Sequence, residues 1–231
     1  MPATTIEERI EVLEKELRRA GDIQAIQNLM GRYTVNWVPK NLDQQASFYA
    51  MDEPDVSVEV GDRGVYVGPE AVRKLFGSTF SNPVLEGVLL IHYLASPMVE
   101  VAEDGRTAKG VWRSPGIEAV LPANGGKPVP MWSFGSYAVD FIKKNGEWKV
   151  WHMHWYRQVK CTYADGWVDD LSMTSGPTPP GPELGATTYH NPYTPASIQT
   201  SIPSCPEPFE TWDDPLWSTV ERPPAGRGTD R

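Results

Sequence analysis

Cysteine is nearly absent. Cys161 and Cys205 are the only two in 231 residues and have no CxxC or other zinc-type spacing, which excludes a disulfide-stapled scaffold and a cysteine-built metal centre. Two free thiols are expected, with a disulfide from tail to body as the alternative. Positive charge is short as well: 21 Lys and Arg stand against 30 Asp and Glu, a formal net charge of -9 without any basic block. Nothing in the chain would draw in a phosphate backbone, so nucleic acid is not an expected partner. No segment approaches the ~18 consecutive apolar residues of a membrane span, and the opening MPATTIEERI lacks the charged-then-apolar order of a secretory signal. The expectation is a soluble, cytoplasmic protein with no membrane partner. Histidine is also scarce, with four in all.

What is present is 40% apolar and 10% aromatic, the composition of a globular domain. Thr4 and Glu7 have capping-box spacing, and Ile6, Ile10, Leu13 and Leu17 recur at intervals of 4, 3 and 4. This predicts a short amphipathic helix whose narrow stripe suits a partner subunit. Gly21 and Asp22 should punctuate it, after which Ile23, Ile26, Met30, Tyr33 and Trp37 continue a helical face to Pro39. Asn41 to Ala50 can add a turn or two. The period then changes to two in DVSVEVG and GVYVG, and Pro69 opens a further helix, PEAVRKLFGSTF. Four long strand-like runs follow: GVLLIHYLASPMVEVA, TAKGVWRSPGIEAVL, MWSFGSYAVDFIKK and EWKVWHMHWYRQV, the last two joined by the hairpin signal Asn145-Gly146. Helices first and antiparallel strands afterwards predict an α+β domain with its helices on one face of a curved sheet.

From about Trp167 the composition shifts, and 12 of the 22 prolines lie beyond it. The reading is an N-terminal helix at 1–21, a domain at 22–166 and a Pro-rich extension at 167–231, with GPTPPGPELG as a linker. Tyr189, Tyr193, Phe209, Trp212 and Trp217 are too apolar for a solvated tail, so much of the extension should lie across the domain or a neighbouring subunit, with simple disorder as the alternative.

Several residues could carry chemistry. In EWKVWHMHWYRQV, strand alternation puts Trp148, Val150, His152, His154 and Tyr156 on one face, provided no bulge intervenes. His92 sits between the apolar LLI and YL, where an imidazole can exchange protons. Tyr33, Asn36 and Trp37, three and four apart, share a helix face. Trp112 and Arg113 point to opposite sides of their strand, and Trp132, Phe134 and Tyr137 supply aromatic surface whose facing is open. Each histidine also has a plain reading, as a packed ring with one satisfied bond. His152 and His154 with His92 could chelate a metal, but no carboxylate stands near them in the expected strands and no metal is predicted.

These pieces together resemble the SnoaL-like branch of the nuclear transport factor 2 superfamily. The resemblance rests on DIQAIQNLMGRYTVNW, GVYVGPEAVRKLF, His92 in IHYLASPMVEV, the DGRTAKG turn and GSYAVDFIKKNGEWKV, and runs from Asp22 to about Lys160. It implies a cone-shaped, cystatin-like α+β fold, a bent antiparallel sheet wrapped around helices, with an apolar pocket at its wide end. It also implies catalysis without an organic cofactor, as in scytalone dehydratase, polyketide cyclases and ketosteroid isomerase. By this resemblance Trp148 and Val150 face the interior, so His152, His154 and Tyr156 should follow them. His92 corresponds to a histidine that scytalone dehydratase uses. Val38, however, stands where that enzyme has an aspartate and Val60 where it has a tyrosine, so the chain should not be a scytalone dehydratase.

The resulting expectation is a cofactor-independent lyase acting on a phenolic substrate by general acid-base catalysis. His92, His154 and Tyr33 are the expected catalytic groups; Asn36, Trp37, Trp112, Arg113, Trp132, His152 and Tyr156 are the expected binding groups. The sharpest form of the resemblance is to lignin-derived diarylpropane γ-formaldehyde lyases, which release formaldehyde and water to leave a stilbene. A dehydratase or isomerase of a polyketide, steroid or phenolic ring, a binding module for an aromatic ligand, and an assembly domain are the alternatives. A homo-oligomer, dimer or trimer, is the expected state.

Overall fold

Thr5 starts the first helix. Its hydroxyl accepts from the Glu8 N–H at 3.1 Å and its own N–H donates to the Glu8 carboxylate at 2.7 Å, a capping box one residue later than the Thr4–Glu7 spacing suggests. The computed structural model describes residues 5–61, 64–78, 86–122, 125–171, 190 and 192–212. Thr4, the linker GPTPPGPELG, Tyr189 and Trp217 of the sequence reading lie outside them.

Helix α1 (Ile6–Val35) is unbroken, contrary to the expected stop at Gly21. One interior glycine weakens a helix by only about 1 kcal/mol, and Asp22, instead of capping, accepts from Lys143 Nζ at 2.6 Å and Trp148 Nε1 at 2.8 Å. A 3-10 segment, Pro39–Phe48, follows. Strands β1 (Ser57–Val60) and β2 (Val65–Val67) lead to helix α2 (Pro69–Ser78).

Two of the long runs divide. GVLLIHYLASPMVEVA gives β3 (Leu89–His92) and β4 (Ala95–Val101), because Ser96 takes φ 51° and the register jumps between Ala95 and Met98. TAKGVWRSPGIEAVL gives β5 (Thr107–Ser114) and β6 (Gly116–Val120), separated by Pro115, which has no N–H to continue a ladder. The 16-residue β7 (Val129–Lys144) spans both, pairing β6 through Val129–Trp132 and β5 through Gly135–Ile142. β8 (Glu147–Thr162) returns antiparallel along it, and α3 (Gly166–Asp169) ends the domain. The turn between β7 and β8 has Asn145 at φ 51° and Gly146 at φ 83°, the positive pair of a tight hairpin.

The sheet order is β2-β1-β8-β7-β5-β4, with β6 on β7 and β3 on β6. It is antiparallel except for β1 beside β8. One face carries the core: Ile26, Leu29, Met30 and Tyr33 of α1 and Val72, Leu75 and Phe76 of α2 pack on Trp112, Val139, Phe141, Val150 and Met153. The α+β class and the bent sheet over helices are as the sequence predicts.

The ladder between β7 and β8 contains two irregularities. Asp140 pairs with His152 but Phe141 with Val150, so Trp151 is extra; Gly135 pairs with Arg157 but Phe134 with Val159, so Gln158 is extra. Each inserted residue breaks the strict alternation. Trp148 and Val150 face the helices as expected, yet beyond Trp151 the helix-facing residues are Met153 and Trp155. The expectation that His152, His154 and Tyr156 point inward is therefore corrected: they lie on the outer side.

That outer side carries part of the C-terminal extension. Ile202 packs with Val111, Ala138 and Tyr156, and the Trp212 ring lies 4.5 Å from Trp151 and 5.5 Å from His152. The carbonyls of Phe209 and Glu210 accept from the N–H groups of Glu103 and Asp104, and the Tyr193 N–H donates to the carbonyl of the inserted Gln158 at 2.8 Å. Cys161 is buried, Cys205 exposed, and both are free.

Gly135 tests the second irregularity. A Cβ there would lie 2.3 Å from the Tyr156 carbonyl and 3.0 Å from the Trp155 ring. Gly135→Ala should lower stability by about 1–3 kcal/mol in urea unfolding; an unchanged midpoint would show that the strands separate freely there.

Candidate active site

Between the sheet and the helices lies a cavity of about 100 Å³. From the helical side it is lined by Tyr33 of α1, Trp37 just beyond that helix and Leu75 and Phe76 of α2. The sheet supplies Val58 and Val60 from β1, Tyr66 from β2, Leu90 and His92 from β3, Glu118 from β6, Tyr137 from β7 and Met153, Trp155, Arg157 and Lys160 from β8. The insertion at Gln158 lets Arg157 and Lys160 share this lining although they are three residues apart.

A row of polar groups crosses the aromatic enclosure. Lys160 Nζ donates to Glu118 Oε2 at 2.7 Å. His92 Nε2 lies 3.4 Å from Glu118 Oε1, and His92 Nδ1 lies 3.4 Å from Ser114 Oγ. Ser114 in turn lies close enough to the Tyr137 hydroxyl to favour its ionised form slightly against the effect of burial. The row thus runs Lys160, Glu118, His92, Ser114, Tyr137. Trp37 and Trp155 hold the imidazole edge-on, with ring centroids at 6.4 and 5.5 Å.

Burial raises the Glu118 carboxyl, and this is the largest single influence. The His92 hydrogen bond, the charges of Lys160 and His92, and the Lys160 hydrogen bond together outweigh it, leaving the group well below the usual carboxylate range. Glu118 is a carboxylate and only accepts, so His92 Nε2 carries a proton towards it in either state of the ring; when the ring is neutral, that leaves the Nδ1 lone pair facing Ser114. Burial pushes the Tyr137 hydroxyl well up, with Tyr33 adding to the effect, and does the same to Tyr33, with Tyr49 adding. Both phenols are neutral at physiological pH.

Of the sequence-predicted residues, His92, Tyr33 and Trp37 meet at this cavity. Asn36 caps α1: its Nδ2 donates to the Arg32 carbonyl and its Oδ1 accepts from Asn41. Trp112 is core, its ring over Gly110 and edge-on to Phe141. Arg113 is exposed and donates to Ser136 Oγ. Trp132 stacks on Phe134 and meets Tyr163 and Trp167 outside the lining. His152 Nδ1 lies 2.9 Å from Asp140 Oδ2, with Asp55 at 3.7 Å; His154 Nδ1 lies 3.8 Å from Glu59 Oε2, its ring stacked on Tyr156. These three belong to the wall between sheet and extension. A carboxylate stands beside each of the three strand histidines, contrary to the expectation of none nearby.

Sequence reasoning missed Glu118, Lys160, Arg157 and Ser114. The one available signal was a lone carboxylate in the otherwise apolar GIEAV, since a buried carboxylate demands partners. A chelate of His92 with His152 and His154 is ruled out by their placement on opposite sides of the sheet. Among the described residues no three His, Cys, Asp or Glu side chains group as a metal would require.

Residues 18–154 match the family model described as SnoaL-like domain. No curated protein matches the chain in sequence. Among solved structures, a type 2 hexachlorocyclohexane dehydrochlorinase, LinA, is 18% identical with a TM-score of 0.52, covering 68% of this chain and 99% of its own. LinA type 3 from Novosphingobium barchaimii LL02 is 20% identical with a TM-score of 0.51, covering 64% and 94%. A protein of Novosphingobium aromaticivorans DSM 12444, provisionally named a scytalone dehydratase, is 15% identical with a TM-score of 0.52, covering 67% and 96%. At these identities the likeness is one of fold.

The Glu118 environment predicts a pH dependence. A carboxyl depressed by folding adds stability that is complete above its ordinary value of 4.5 and drains away as pH falls below it. Urea unfolding on either side of that value should show a steeper acid loss for the wild type than for Glu118→Gln; parallel slopes would contradict the buried pairing.

Proposed function

The chain belongs to the family of SnoaL-like domains, and on that premise we propose that it is a cofactor-independent lyase, eliminating a small group from a phenolic, ring-bearing substrate by general acid-base catalysis. The observation that carries the reading is the polar row ending in a neutral phenol inside an aromatic cavity. Trp37, Phe76, Tyr66 and Trp155 offer ring faces and edges to a flat substrate. The dehydrochlorination and dehydration named for two of the solved neighbours are both eliminations, which supports the reaction class.

The row works as a proton path. Tyr137 takes the substrate's hydroxyl proton while its own passes to Ser114 and that of Ser114 to His92 Nδ1, so no phenolate forms on the protein. Glu118 then faces an imidazolium and stabilises it. The Lys160 ammonium supplies the proton with which the departing hydroxyl leaves as water, and Tyr33 holds that group by a hydrogen bond without losing its own proton.

In its finer form the substrate is a lignin-derived diarylpropane diol, with water and formaldehyde leaving to give a stilbene. The cavity is smaller than the ~150 Å³ that takes up benzene in an engineered apolar site, so one ring enters as the walls part and the second stays outside. Incubation with phenolic diarylpropane diols and their methoxy-capped analogues, read by formaldehyde assay and mass spectrometry, tests both levels. Formaldehyde from the free phenols alone supports the finer form. Loss of water alone reduces it to a dehydratase, and unchanged substrates across a broader phenolic panel would overturn elimination. On a turned-over substrate, His92→Ala and Tyr137→Phe should each lower kcat by about 10²–10⁴; near-normal rates in both would end this mechanism.

A further inference from the structure

The first half of α1 contributes nothing to the core, whose first α1 residue is Ile26. Ile6, Ile10, Leu13 and Leu17 are 70%, 49%, 66% and 74% exposed. At 3.6 residues per turn these four form one narrow stripe, and Lys15 and Arg19 point about 170° and about 150° away from it. Those two cations tether this first half of the helix to its own domain, Lys15 pairing with Glu103 after β4 and Arg19 with Glu100 in it. One side of the helix is therefore tethered while the opposite side presents aliphatic residues to solvent.

We propose that this stripe pairs with the same stripe of a second copy of the chain, in a parallel two-stranded coiled coil. The 4-3-4 spacing is that of the apolar positions in a seven-residue repeat, and the central pair, Ile10 followed by Leu13, is the combination that favours two strands, while Ile6 and Leu17 at the two ends have the reverse order. Charge fixes the direction. Arg9 and Glu16 flank the stripe on one side, and Glu7 and Glu14 flank it on the other. In the parallel arrangement each Arg9 reaches the partner's Glu14, giving two opposite-charge pairs with no like-charge pair against them. An antiparallel arrangement would set Arg9 against Glu16 but also place the Glu7/Glu14 flank against itself, so its attractions and repulsions cancel. The repeat is short, but it belongs to a 30-residue helix already formed by its packing further on, so association does not bear the cost of nucleating it. This inference is independent of the catalytic reading.

Sedimentation of the full chain tests it. The wild type should have twice the mass of Leu13→Glu/Leu17→Glu, or twice its assembly order; equal masses would overturn the proposal, as would a monomeric wild type with this stripe protected from hydrogen exchange by another part of the chain. In a Cys205→Ser background, Leu13→Cys should cross-link across the seam on oxidation while Arg18→Cys, off the stripe, should not. Equal cross-linking of the two would also overturn it. Arg9→Glu should weaken the dimer about tenfold and Glu14→Arg in the same chain restore it; no restoration would refute the parallel direction.

Discussion

A strand turns alternate side chains to opposite faces, and every residue inserted without a partner breaks that order. β8 contains two such residues, Trp151 and Gln158, and most of the site depends on them. The first brings Met153 and Trp155 to the helices and sends His152, His154 and Tyr156 outward. The second turns Lys160 back in beside Arg157, within reach of Glu118. A strand of regular pitch would leave Glu118 buried in an apolar wall with only His92 to balance it.

That balance matters because Glu118, at 8% exposure, has little water to stabilise its charge. Removing one partner of a buried ion pair costs about 3–5 kcal/mol, far more than the pair contributes relative to apolar residues of the same shape. Lys160 and His92 are thus held to the carboxylate by the penalty of leaving it. The geometry that results fixes a histidine tautomer and aims its free nitrogen at a serine and a phenol, so the electrostatics of the wall and its proton path are one arrangement.

Much of this architecture was legible in the sequence because it is local. The capping-box spacing falls within one residue of the true cap, Asn145-Gly146 marks its hairpin directly, and the shift from helical to strand period announces the α+β class. Tyr33, Trp37 and His92 reach the cavity because nothing interrupts the period between them and their neighbours. What could not be read depends on partners distant in the chain. The two insertions exist only relative to β7, and the inward facing of Glu118 depends on the break at Pro115 and on β3. Gly21 and Asp22 looked like punctuation because their local propensity is that of a break, whereas bonds from Lys143 and Trp148 keep the helix going.

The seated part of the extension changes what kind of object the sheet is. With Ile202, Phe209 and Trp212 on one face and the two principal helices on the other, the sheet is the middle layer of three rather than one wall of two. Part of its outer face is occupied by the chain itself, so two molecules cannot stack sheet against sheet through the covered area without first displacing the strap.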